Sequence, residues 1–173
     1  LMIVACSCRS SGPSYPHDDV LTLWHAQVKA THNSYHVKTT DGVMDWDYTM
    51  APLDVQAASQ GVRSFELDVN YDADSDKLEV FHLSLVDEGT TCRAFKDCLT
   101  TLRRWSDGNA RHLPLYVQLE PKSGFTGAGA ERAFTRRAGE ILAVFPGDRV
   151  ITPASIQGAS ATLRDAVKTR GWV

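Results

Sequence analysis

Seven polar residues stand at the ends of otherwise apolar runs, and their types suggest one chemistry. His32 and Asn33 follow the run Gln27–Thr31. Glu66 and Asp68 lie in Gly-Val-Arg-Ser-Phe-Glu-Leu-Asp-Val, His82 ends Leu-Glu-Val-Phe-His, and Glu120 and Lys122 end Leu-Tyr-Val-Gln-Leu-Glu-Pro-Lys. Three carboxylates brought together would repel one another and resist ionising, so a cation should sit among them. Glu66, Asp68, Glu120 and the side-chain oxygen of Asn33 are an oxygen-only set, which suits Ca²⁺ or Mg²⁺ rather than zinc. Histidines beside such an ion can donate to a phosphoryl oxygen and shuttle a proton.

Positioning these groups is a task for strands. Alternation predicts strands over Gln27–Thr31, Val62–Val69, Leu78–Leu83, Leu115–Leu119 and Arg149–Ile151. Helical periodicity predicts helices over Leu53–Ser59, Phe95–Ser106, Ala130–Val144 and Ser160–Thr169. Strands separated by helices point to parallel βα units. The connection from Val69 to Leu78 is too short for a parallel crossover, so the Leu78 strand is expected to fold back antiparallel. Side chains alternate faces along a strand, so Glu66 and Asp68 should share one face, as should Glu120 and Lys122. The opposite face, Phe65, Leu67 and Val69, suits packing under helices. His32 and Asn33 are adjacent, so both reach one site only if the chain turns there.

The fold class expected is α/β, a TIM-like (β/α) barrel with its chemistry at the C-terminal ends of the strands. A whole barrel takes about 250 residues, so this chain should hold roughly the N-terminal half. Residues 21–173 are expected to form that part, and residues 1–20 a leader rich in Ser, Pro and Gly after a short apolar run. Leu-Met-Ile-Val-Ala-Cys resembles the tail of an export signal or a lipobox at Cys6, which places the protein outside the cytoplasm as a secreted, periplasmic or lipid-anchored species. Cys92 and Cys98 bracket five residues and suit a disulfide in an oxidising compartment. A formal net charge of -3 offers no broad basic surface for nucleic acid. No apolar run approaches the ~20 residues of a membrane span. Asp72, Asp74 and Asp76 imitate an EF-hand loop, but Lys77 stands where Gly is needed and Leu83 where Glu is needed. His17, His25, His36 and His112 lie outside the strand-end pattern and read as surface groups.

Taken in order, Thr-His-Asn-Ser, the Glu-Leu-Asp segment, Val-Phe-His and Gln-Leu-Glu-Pro-Lys resemble calcium-dependent phosphatidylinositol-specific phospholipase C, in its secreted bacterial and fungal branch. Thr-Thr-Cys, Asp-Cys-Leu and the Trp that follows belong to the same pattern, and the resemblance runs from about Leu23 to Trp172. It implies calcium at Asn33, Glu66, Asp68 and Glu120. It implies His32 on the phosphoryl oxygen, His82 as general acid or second stabiliser, and Glu120 or Glu66 as general base. The implied reaction is attack of the inositol 2-hydroxyl on the phosphodiester of a phospholipid, releasing diacylglycerol and a cyclic inositol phosphate. Lys122 has no fixed role in that pattern; its position suggests contact with a headgroup anion. A monomer with transient contact to a membrane surface is expected. Two other readings fit parts of the pattern: a glycerophosphodiester phosphodiesterase, which usually has Arg-Gly where this chain has Asn33-Ser34, and a barrel lipoprotein that binds without turnover.

Overall fold

A computed structural model of the protein describes residues 2–5, 20, 23–39 and 44–170. Five strands form one sheet: β1 (Met2–Ala5), β2 (Lys29–Thr31), β3 (Val62–Asp72), β4 (Lys77–Val80) and β5 (Leu115–Pro121). β2, β3 and β5 run parallel, with β3 central, and this trio is the expected βα core. β4 returns antiparallel on β3, as the short connection requires. The described residues make an open sheet, with the order β1-β5-β3-β2 along its main path.

Three helices cover one face: α1 (Leu53–Ser59), α2 (Phe95–Gly108) and α3 (Ala130–Val144). α2 shows why. Phe95, Leu99 and Leu102 recur at helical spacing and are fully buried, forming an apolar stripe toward the sheet. They meet Phe65, Leu67 and Val69 of β3 and Leu115 and Val117 of β5 in one core cluster. Burying each such side chain stabilises the fold by about 1.5–3 kcal/mol. Leu99→Ala would therefore cost about 2–5 kcal/mol, since the packed neighbours close the gap only in part. With the odd-numbered residues of β3 committed to this core, its even-numbered residues must face the other way.

Three expectations need correction. The third strand ends at Val80 rather than Leu83, so His82 stands in a loop. The helix expected over Ser160–Thr169 begins three residues later, as α5 (Leu163–Arg170), and a short helix that was not expected, α4 (Pro153–Gln157), precedes it. Among the described residues Arg149–Ile151 forms no strand; Gly147–Arg149 is a 3-10 turn, and Val150 makes a single β-bridge. The edge of β5 that a parallel strand would need is occupied by β1, which pairs antiparallel from Met2↔Gln118 to Ala5↔Leu115. The expected leader over residues 1–20 thus includes this short strand, while Cys6, Cys8 and His17 lie outside the described residues, as do the last three residues, Gly171 to Val173. No helix among the described residues is long and apolar enough to cross a membrane.

Candidate metal and phosphoryl-transfer site

The even-numbered face of β3 carries Glu66 and Asp68, both buried. Register places Asp68 directly beside Glu120 of β5, so two strands deliver three carboxylates to one point. One oxygen from each of Glu66, Asp68 and Glu120 lies within 4.8 Å of the others. Ca–O bonds run about 2.3–2.6 Å, so oxygens around a shared calcium stand at most about twice that apart. Glu66 Oε1 and Asp68 Oδ1 are buried with no hydrogen-bond partner, a costly condition unless a cation meets them. Orphaned oxygens, spacing and an oxygen-only donor set all fit a hard divalent ion.

The electrostatics agree. Burial, then the adjacent Asp68 carboxylate, raises the Glu66 pKa to about 8, against the opposing hydrogen bond from the Asn33 backbone. Burial, with Asp68 next, likewise raises the Tyr35 hydroxyl well above its usual range. Lys122 supplies the one protein cation at the cluster among the described residues. Its Nζ is 2.7 Å from Glu120 Oε1 and 3.1 Å from Asp68 Oδ2, the second contact being an ion pair without hydrogen-bond geometry. Desolvation works against the charged Lys122, but its hydrogen bond to Glu120 and the attraction of Asp68 prevail and raise its pKa.

Asn33 adjoins the cluster because the chain turns at it. Its φ of 45° is left-handed, a conformation asparagine tolerates better than most residues. The turn is stitched down. The Asn33 N–H donates to Glu66 Oε2 at 2.7 Å, and the Ser34 N–H donates to the Glu66 carbonyl at 3.0 Å. The Glu66 N–H donates in return to Ser34 Oγ at 2.9 Å. Buried Gln56 of α1 donates to the Ser34 and Ala51 carbonyls. Asn33 Oδ1 accepts from the Tyr35 hydroxyl at 3.3 Å, and Asn33 Nδ2 donates to the Tyr48 hydroxyl at 3.2 Å. The turn foreseen at His32-Asn33 is present.

His32 and His82 line one cleft of about 560 Å³ with Asn33, Asp45, Trp46 and Tyr48. His82 reaches it from the loop after β4, its ring packed edge-on to Trp46 at 5.1 Å. Asn70, next on the acidic face of β3, fixes two of these loops. Its Nδ2 donates to the Phe81 carbonyl at 2.8 Å, and its Oδ1 accepts from Ser123 Oγ at 2.8 Å. The Cys92–Cys98 disulfide, with Cα atoms 5.3 Å apart, ties the far end of the His82 loop to α2.

Reading the sequence left out Asp87. This buried carboxylate accepts from His82 Nδ1 at 3.0 Å and from His36 Nε2 at 2.9 Å. His36 is not the surface group expected; it is fully buried, and its Nδ1 donates to the Tyr48 carbonyl at 2.9 Å. His112 is also no simple surface group, since its Nε2 bonds Ser106 Oγ at 2.6 Å and its ring lies against Trp105. His25 is exposed as expected. No spacing rule marks Asp87, which comes back to His82 only because five residues close a tight loop.

The model of the calcium-dependent phosphoinositide phospholipase C family matches residues 73–173, more than half of the chain. The chain belongs to that family. The matched span includes His82, Glu120 and Lys122, while the elements bearing His32, Asn33, Glu66 and Asp68 precede it. Among solved structures, the chain resembles a Ca²⁺-dependent phosphatidylinositol-specific phospholipase C from Streptomyces antibioticus. Identity is 25%, TM-score 0.61, and the match covers 83% of this chain and 46% of that one. Calcium-dependent phosphoinositol-specific phospholipase C from a Pseudomonas species, solved as a myoinositol complex, shares the fold. There identity is 22% and TM-score 0.60, over 83% of this chain and 50% of the other. The chain thus spans about half the length of these solved relatives. No curated protein sequence matches it.

Proposed function

We propose that this chain carries the calcium and histidine half of an enzyme that cleaves phosphatidylinositol-like lipids, on a TIM-like barrel of which these residues form the N-terminal part. The observation that carries the reading is the meeting of buried, unpartnered carboxylate oxygens at Glu66 and Asp68 with the Asn33 turn, beside a cleft lined by His32 and His82. Glu66, Asp68, Glu120 and Asn33 would hold the ion. Calcium bound there supplies positive charge against the phosphoryl oxygens of the substrate.

The residues of the chain divide the remaining work. His32 donates to a phosphoryl oxygen, where charge accumulates as the inositol 2-hydroxyl attacks. His82 gives its proton to the departing diacylglycerol oxygen. Glu66, whose pKa burial and Asp68 raise to about 8 without metal, and Glu120 are the two candidates for the base that takes the hydroxyl proton. Lys122 stands where it can reach a headgroup anion. The His82 loop carries Leu83, Leu85 and Val86 outward, Leu85 being 96% exposed, which suits shallow contact of a monomer with a lipid surface. The Cys92–Cys98 bridge supports a working place in an oxidising compartment outside the cytoplasm.

The test uses the full-length enzyme. With phosphatidylinositol vesicles and calcium, ³¹P NMR should show a cyclic inositol phosphate, and chelation should abolish it. Cleavage of glycerophosphodiesters without an inositol ring would support the glycerophosphodiester reading instead. Binding of headgroup without any product would support the lipoprotein reading.

A further inference from the structure

We propose that Asp87, braced by His36, is the positioning residue that sets the ring orientation and tautomer of His82; this rests on the phosphodiesterase reading above. The backbone first shows how Asp87 gets there. The Leu83 and Asp87 N–H groups donate to each other's carbonyls at 3.0 and 2.9 Å, closing a five-residue loop. The loop folds the Asp87 carboxylate back under His82 and leaves it 1% exposed.

Asp87 also joins the two segments that supply the histidines. The Val37 N–H donates to the Gly89 carbonyl at 3.1 Å, and the Thr91 N–H donates to the Tyr35 carbonyl at 2.7 Å. His36 pairs with Thr90 across the same joint. Within it, His36 Nε2 lies 2.9 and 3.0 Å from the two Asp87 oxygens, and Thr39 Oγ1 donates to Oδ1 at 3.4 Å. Both ring nitrogens of His36 face acceptor oxygens, those of Asp87 and the Tyr48 carbonyl. The carboxylate is held from behind and has little freedom to turn.

Its effect on His82 follows from hydrogen-bond chemistry. An ionised carboxylate only accepts, so Asp87 Oδ2 takes the N–H of His82 Nδ1 at 3.0 Å. Nε2 is then the nitrogen left to the cleft that His82 and His32 line together. Trp46 edge-on against the ring limits its rotation. A ring that could present either nitrogen becomes one with a single, aimed nitrogen.

Two measurements on the full-length enzyme decide the proposal. Ring ¹⁵N spectra, with His82 assigned by its loss in His82→Ala, should show His82 as the Nδ1–H tautomer when neutral. The Nε2–H tautomer would overturn the proposal even if Asp87→Asn failed to fold. Kinetics on a soluble inositol phosphodiester should show Asp87→Asn lowering kcat about tenfold or more, short of the ~10²–10⁴-fold owed to a general acid itself. KM should stay within about twofold, and the variant's ring spectrum should lose the Nδ1–H signature. An Asp87→Asn enzyme that is folded with unchanged kcat, or a fall in kcat without a tautomer change, would count against a positioning role. A wild-type enzyme that cleaves no inositol diester would refute the functional reading, while the tautomer would still be read from the spectrum.

Discussion

The acidic cluster and the histidine cluster lie side by side but are built differently. Glu66, Asp68 and Glu120 sit on neighbouring strands, where the register Asp68↔Glu120 and the alternation along β3 fix their directions. His32, His82, His36 and Asp87 sit on loops, held by hydrogen bonds between segments about 50 positions apart, such as His36 to Asp87. The first arrangement uses bonds that the sheet makes in any case. The second uses bonds between distant segments that no regular strand pairing supplies. The strand-borne carboxylates should therefore tolerate changes in their surroundings, while the loop-borne His82 should depend on each contact that places it.

The largest expected effect tests the loop side. His82→Ala in the full-length enzyme should lower kcat by about 10²–10⁴-fold with little change in KM, because its bond forms chiefly in the transition state. Steady-state kinetics on a soluble diester checks this, and an unchanged kcat would remove His82 from the mechanism. Gly89→Ala should come next. A Cβ at Gly89 would land on the Val37 carbonyl, backbone that cannot step aside cheaply. A loss of about 1–3 kcal/mol is expected, measured by urea unfolding, and wild-type stability would show the loop joint to be softer than described.

The same contrast decides what was legible beforehand. Parity alone placed Glu66 and Asp68 on one face, since a two-residue period survives any detail of packing. The antiparallel return of β4 followed from the length of its connection. His36 was misread because a lone histidine shows no sign of burial until the Gly89–Val37 and Tyr35–Thr91 bonds bring Asp87 to it. Asp87 was missed for the same reason. The strand expected at Arg149–Ile151 is reduced to one β-bridge at Val150, since pairing depends on which segment claims an edge, and β1 holds that of β5.

Two predictions sharpen the strand side. Asp68→Asn should weaken calcium binding by about tenfold or more, because affinity follows the number of charged ligands. In metal-free protein the same change should raise Tm, since a buried like charge is gone. Calorimetric titration and thermal melts together read both signs; a fall in Tm with unchanged calcium affinity would mean that Asp68 is structural. Glu66 gives the pH dependence. Its folded pKa of about 8 stands above the ordinary 4.5, so the folded state holds its proton more tightly. Its contribution to metal-free stability is full below pH 4.5 and is lost as pH rises toward 8. Saturating calcium should reverse that slope, because binding expels the proton. A metal-free stability that is flat over this window would place Glu66 elsewhere than in a crowded acidic site.

The smallest effect concerns Lys122, which belongs to the strand side by position and touches the cluster by charge. Its ammonium neutralises part of Glu120 and Asp68, yet the Glu120 side chain is 46% exposed and Lys122 24%. Water screens the pair with Glu120, so the loss of that contact in Lys122→Met should cost metal-free protein less than about 1 kcal/mol. Calcium affinity should rise a few-fold, because the ion no longer displaces a resident cation. If Lys122 also meets a headgroup anion, KM for a charged inositol diester should rise in the same variant while kcat holds. Titration and kinetics on one protein thus separate the two roles. Tighter calcium with unchanged KM would make Lys122 a counter-ion of the carboxylates alone, and unchanged calcium affinity would show that its contacts to Asp68 and Glu120 give way to the metal at no cost.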